Sequence, residues 1–192
     1  MNWILLGVQG SGKGTQAKLL AEKFNMVIFE AGAQLRKLAT QDNLLSKEVQ
    51  EVMEQGALVR PEIINYILEQ FLESTPPDQR IIFDGIPRSH EQMLEFEAIL
   101  KKYNRKFTVI YIVLDRAKAI ERLTKRAKIQ NRQDDNPKTI AERIDIFYNV
   151  TIEVIEKLHQ DAPLIEVNGD QSIEEVFKEM ISKINKIEKI QK

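Results

Sequence analysis

Near the start of the chain stands Gly7-Val8-Gln9-Gly10-Ser11-Gly12-Lys13-Gly14-Thr15, a G-x-x-x-x-G-K pattern. Glycines at these intervals let the backbone bend tightly and bring its N–H groups close to phosphate oxygens, and a lysine after the last of them can reach the outer phosphates as a point charge. The apolar run Trp3-Ile4-Leu5-Leu6 leads in, and residues 16–24 follow with helical periodicity. Strand, loop and helix together separate a phosphate cradle from a chance Gly-rich turn, and the helix adds the positive end of its dipole at the same point. Thus Gly10, Ser11, Gly12, Lys13, Gly14 and Thr15 are expected to hold nucleotide phosphates. Gly14 occupies the usual Ser/Thr position after the lysine, so Thr15 is the hydroxyl left to face a Mg²⁺ ion.

A second group carries charge. Asp84 ends the apolar run Ile81-Ile82-Phe83, where phosphate-loop enzymes place a carboxylate that holds Mg²⁺ through water; the alternative is a turn or capping aspartate. Gly85-Ile86-Pro87-Arg88 follows directly, a stiff turn that lets a ligand approach the backbone and offers a planar guanidinium fork. Arg122 and Arg126 lie four apart on one predicted helix face, with Arg132 and Arg143 beyond them. Two cations at that spacing repel each other until an anion sits between them. A ring of arginines suits a transition state with charge spread over equatorial phosphoryl oxygens, although a lone arginine is usually a surface ion-pair partner.

The elements that must position these residues are short apolar strands alternating with helices. Strands are expected at 1–7, 26–29, 81–83, 107–114 and 163–167. Helices are expected at 13–24, 32–55 with a break at Asp42-Asn43, 61–73 opened by Pro61, from Ser89 with Gln92 at capping-box spacing, from Asp115, from Pro137 to about His159, and from Ser172. Residues 130–136 read as a polar loop. No tight hairpin signal joins any two strands, which predicts an α/β fold: a five-stranded parallel sheet of the P-loop NTPase kind with helices on both faces. Ligands then sit beyond the carboxyl ends of the strands.

Composition bounds the rest. The 192 residues carry a net charge of −1, 30% charged residues and no cysteine, which excludes disulfides and thiolate chemistry and gives no global field for nucleic acid or an anionic membrane. His90 and His159 have no ligand spacing. No apolar run is long enough to span a membrane, and the N-terminus enters a strand pattern directly, so a cytoplasmic protein is expected.

With these residues in hand, the chain resembles the adenylate kinase family of nucleoside monophosphate kinases, nearly end to end. The pieces are Gly10 to Gln16, Gly32 with Leu35-Arg36, Gly56-Ala57-Leu58-Val59, Asp84 to Arg88 with Gln92, and Arg132-Gln133-Asp134-Asp135-Asn136-Pro137 with Arg143. The resemblance implies reversible transfer of the γ-phosphoryl of Mg·ATP to AMP, giving two ADP, by a monomer. It implies that the glycine loop, Arg122, Arg126 and the backbone near Gln171 hold ATP, and that Ala31, Arg36, Ala57, Leu58, Val59, Gly85, Ile86, Pro87, Arg88 and Gln92 hold AMP. Arg132 and Arg143 would bridge the two, and Lys13, Asp84, Arg88, Arg122, Arg126, Arg132 and Arg143 would form the catalytic set. Residues 30–59 resemble the family's monophosphate-binding flap and about 126–132 its short lid, within one domain spanning 1–192.

Several positions depart from the family pattern. Ala31 replaces a threonine and is the residue many UMP/CMP kinases carry; Ala33 replaces an aspartate of the Mg²⁺ water shell; Glu30 adds a negative charge; Gln9 replaces a common proline. Gln92 can donate to and accept from an adenine edge at once, which favours AMP. A UMP/CMP-type kinase and a nucleotide-binding regulator without turnover are the alternatives.

Overall fold

The computed structural model describes residues 1–130 and 136–190. Five parallel strands form one sheet, in the order β2-β3-β1-β4-β5: β1 (Asn2–Leu6), β2 (Val27–Glu30), β3 (Ile81–Asp84), β4 (Phe107–Val113) and β5 (Leu164–Asn168). The central three are apolar on both faces, as a sheet covered twice requires. On one face Trp3, Leu5, Ile82, Ile110, Ile112, Ile165 and Val167 pack with Ala17 and Leu20 of α1 (Lys13–Phe24) and with Val176, Met180 and Ile184 of α9 (Ile173–Ile190). On the other, Ile4, Leu6, Phe29, Phe83 and Val109 pack with α4 (Pro61–Glu73), α5 (His90–Lys102), α7 (Pro137–Ile146) and α8 (Ile152–Asp161). The expected α/β architecture is the one observed.

Local signals fix the helix starts. Asn43 accepts from Ser46 N at 2.8 Å and opens α3 (Leu44–Gln55); Asn136 accepts from Thr139 N at 3.0 Å ahead of Pro137. Asp115 caps α6 (Arg116–Gln130), accepting from Ala117 N at 2.7 Å. The expected 32–55 helical stretch is two helices, α2 (Ala31–Ala39) and α3, packed on each other.

Three expectations change in detail. The helix begun at Pro137 does run on to Asp161, but Phe147–Thr151 forms a π-helical turn between α7 and α8. Helix α6 continues through Gln130, so residues 126–130 of the expected short lid are helical; Arg132 and the rest of that segment lie outside the described residues. At Ser89 the hydroxyl accepts from Gln92 N at 3.2 Å, yet the Gln92 carbonyl oxygen takes its hydrogen bond from Arg88 N at 3.0 Å, one residue beyond the usual capping-box partner. Among the described residues no helix is long and apolar enough to cross a membrane.

Candidate active site

Side-chain parity along the strands decides what faces the glycine loop. Ile28 and Ile82 pack on the α1 side of the sheet, so Glu30 and Asp84, two residues further on, point to that side as well. Asp84 Oδ2 accordingly lies 3.6 Å from where a side chain at Gly14 would begin. The loop itself turns at Gly12, whose φ of +94° is left-handed and caps α1 without a side chain. Thr15 N and Gln16 N then both donate to Gly12 O.

Lys13 curls back over the loop, its Nζ donating to Gly7 O at 2.7 Å and Val8 O at 3.1 Å. Burial lowers its pKa to about 8; Asp84 pulls it back up, and Arg88 and Arg126 push it further down. Burial likewise raises the Asp84 carboxyl, which Lys13 opposes and Glu30 reinforces. Each member of the pair is therefore held toward its neutral form until a ligand of opposite charge arrives.

Beyond Asp84 the chain turns at Gly85, where φ is +78° and a Cβ would sit only 2.9 Å from Arg88 Nη2. That close approach lets Arg88 Nε donate to Gly85 O at 2.7 Å and aims the guanidinium into the cleft. Its burial, with Arg143 nearby, lowers the Arg88 pKa from its ordinary value. Behind it, Thr151 Oγ1 donates to Arg88 O at 2.9 Å. Thr151 reaches this carbonyl from the π-helical turn, which adds a residue to the helix and re-aims the side chains after it. Thr151→Val should lower stability by about 1 kcal/mol through loss of this buried hydrogen bond and reduce kcat/KM for the acceptor several-fold; thermal melts and steady-state kinetics check it.

Around these groups opens a cleft of about 1030 Å³. It brings together most of the residues expected from sequence: Gly10, Gly12, Lys13, Gly14, Thr15, Ala31, Arg36, Ala57, Leu58, Val59, Asp84, Gly85, Ile86, Arg88, Gln92, Arg122, Arg126 and Arg143. Ser11, Pro87 and Gln171 do not line it. Ser11, within the loop, is buried, and the Gln171 amide donates to Asn168 O and to Glu179. Lys18, Glu22, Met53 and Ile64 also line the cleft and had no motif to announce them as cleft residues, and Gln9 lines it from within the glycine loop. Among the described residues, seven basic side chains line it against three acidic ones. The positive field missing from the chain as a whole is concentrated here.

Other cleft arginines besides Arg88 also have partners in place. Arg122 lies 3.6 Å from Asp170, Arg36 Nη2 is 2.9 Å from Glu30 Oε1, and Arg143 Nη2 donates to Met53 O at 3.4 Å. Thr139 Oγ1 donates to Glu54 O at 2.9 Å, so the end of α3 is fastened to α7 at two carbonyls. Gln92 is buried, and its Nε2 lies 3.5 Å from Val59 O. A cleft with a phosphate-type loop at one end, a carboxylate at its floor and guanidiniums along both sides can bind two phosphate chains and neutralise charge passing between them.

The Adenylate kinase family model matches residues 5–162. The chain is similar to an adenylate kinase of Azobacteroides pseudotrichonymphae, 32% identical over 188 residues that cover 97% of this chain and 98% of that protein. It is 35% identical to an adenylate kinase of Hyphomonas neptunium over 181 residues, 94% of this chain and 96% of that one. A Xanthomonas campestris adenylate kinase is 34% identical over 180 residues, 93% and 96%. With the loop, the carboxylate and the arginines gathered in one cleft, the chain belongs to the adenylate kinase family.

Proposed function

We propose that the protein transfers the γ-phosphoryl of ATP to AMP, reversibly, giving two ADP. The observation that carries this is the single cleft with Lys13 and its loop at one side, Arg36, Arg88 and Gln92 at the other, and Asp84 between. The glycine loop, Lys13, Arg122 and Arg126 take the ATP phosphates. Arg36, Arg88 and the wall from Ala31 to Val59, with Gln92, take the monophosphate, and Arg143 (with Arg132) bridges the two. An acceptor phosphate oxygen attacks the γ-phosphorus as the bond to the ADP oxygen breaks. The attacking oxygen belongs to a phosphate dianion, so no protein base has to remove a proton. Lys13 and the arginines hold both phosphates in line and neutralise the charge spread over the moving group.

Mg²⁺ fits this site by its donor set: the Asp84 carboxylate at the floor and the Thr15 hydroxyl on the cleft wall are hard oxygens. Mg²⁺ keeps several of its waters, so one or two protein oxygens beside the substrate phosphates are enough to hold it. When bound with ATP, the ion supplies charge neutralisation on the β- and γ-phosphates. Residues 30–59 are assigned as the acceptor flap and the end of α6 with the segment that follows it as a short lid, within one domain; a cytoplasmic monomer is the state we assign.

One observation favours a second acceptor. Ala31, buried on the cleft wall, offers no hydroxyl to a purine edge and suits UMP or CMP. The deciding experiment is ADP formation from Mg·ATP with AMP, UMP, CMP and GMP supplied separately. AMP is expected to give the highest kcat/KM. Preference for a pyrimidine would make Ala31 the specificity signal, and silence with all four would leave a nucleotide-binding regulator.

A further inference from the structure

Glu30 is the last residue of β2 and the residue before α2, yet its side chain makes no capping hydrogen bond to that helix. Its carboxylate instead lies on the cleft wall, 2.9 Å from Arg36 Nη2. The β2–β3 register sets Glu30 beside Asp84, so two carboxylates share one end of the cleft. An anion placed inside a phosphate-binding wall opposes the ligand directly, and nothing in the strand or the helix start requires it there.

We propose that Glu30 is a specificity-determining residue of the acceptor side: its carboxylate stands in for the acceptor's phosphate on Arg36 and has to be displaced by it. The proposal rests on the assignment of Arg36 to the acceptor. The pair is half-exposed, with side-chain exposures of 37% and 41%, so it is weak and opens readily. A nucleotide phosphate near neutral pH carries close to two charges on three oxygens, and it outcompetes one carboxylate for a guanidinium fork. A singly charged anion gains little over Glu30. The carboxylate therefore selects for dianionic phosphate monoesters and raises the acceptor KM without touching the ATP side. The Glu30 side chain is already 41% exposed, so once displaced it can turn toward solvent.

The test is Glu30→Gln in the full chain, by steady-state kinetics with AMP and Mg·ATP varied in turn. KM for AMP should fall about three- to fivefold, the scale on which a half-exposed ion pair competes, while kcat and KM for ATP stay within about twofold. Between pH 7 and 5.5, where the acceptor's phosphate dianion takes up a proton and becomes a monoanion, KM for AMP should rise more steeply in the wild type than in the Gln variant. A role in merely holding α2 would act in the opposite direction, raising KM for AMP and lowering the melting temperature. An unchanged or raised KM overturns the proposal. If the wild type prefers UMP or CMP, the acceptor assignment fails, and the same comparison made on that monophosphate decides for or against Glu30, since the proposal concerns the phosphate and not the base. If no monophosphate is turned over, calorimetric titration of AMP into both proteins decides it, and absence of AMP binding to either would overturn both readings.

Discussion

Arg88→Ala should lower kcat/KM for the acceptor by about 10³-fold while Kd for Mg·ATP moves less than about threefold. The guanidinium is aimed into the cleft from the turn after Asp84, held by its own Nε bond to Gly85 O and by Thr151 behind the backbone. Nothing in that support depends on the glycine loop, so the loop keeps its shape in the variant. What is lost is a preorganised, partly desolvated cation beside the path of the phosphoryl group, where neutralisation is worth several times its value in water. Steady-state kinetics together with calorimetric ATP titration read both quantities. If ATP affinity dropped in parallel with turnover, Arg88 would belong to the donor phosphates and the two-sided assignment of the cleft would fall.

Lys13→Met should be as damaging, about 10³-fold in kcat, with ATP affinity lowered as well because this cation faces the donor phosphates throughout. Burial brings the ammonium down to a pKa of about 8 in the free protein. Bound phosphate favours the charged form, so the bound-state pKa lies higher. Between those two values ATP binding takes up a proton, and affinity falls as pH rises through about 8 and beyond. In the Met variant this slope should vanish. Calorimetry at pH 8.5 in two buffers of different ionisation heat measures the proton directly; equal apparent enthalpies for the wild type would show that Lys13 does not titrate on binding.

Much of this site can be read from the chain before any coordinates, for identifiable physical reasons. A phosphate loop is a local object: its glycines, lysine and following helix are contiguous, so their spacing already fixes their geometry. Strands buried on both faces leave continuous apolar runs, and the place where such a run breaks off at Asp84-Gly85 marks the floor of the cleft. Contacts made across long sequence distances leave no such trace. The Glu30–Arg36 pair needs the turn from β2 into α2 to be known, and the fastening of Glu54 O by Thr139 joins residues 85 apart. The π-helical turn is invisible because Phe147-Tyr148-Asn149-Val150-Thr151 continues a helical composition, and one extra residue per turn changes no hydrophobic pattern enough to notice. Gln92 shows the intermediate case. Its spacing from Ser89 was enough to start a helix, but which amide its side chain would meet depended on the turn at Arg88.

The fastening of α3 to α7 bears on timing. Met53 O and Glu54 O are tied to Arg143 and Thr139 before any nucleotide arrives, so residues Leu44–Gln55 spend little of an incoming ligand's binding energy on becoming ordered. The same two bonds must break whenever that segment swings away from α7. They act as a ratchet tooth on the exit side of the cycle, easing arrival and slowing departure, and a turnover limited by ADP leaving would respond to loss of the Thr139 hydroxyl although that residue is assigned to no phosphate.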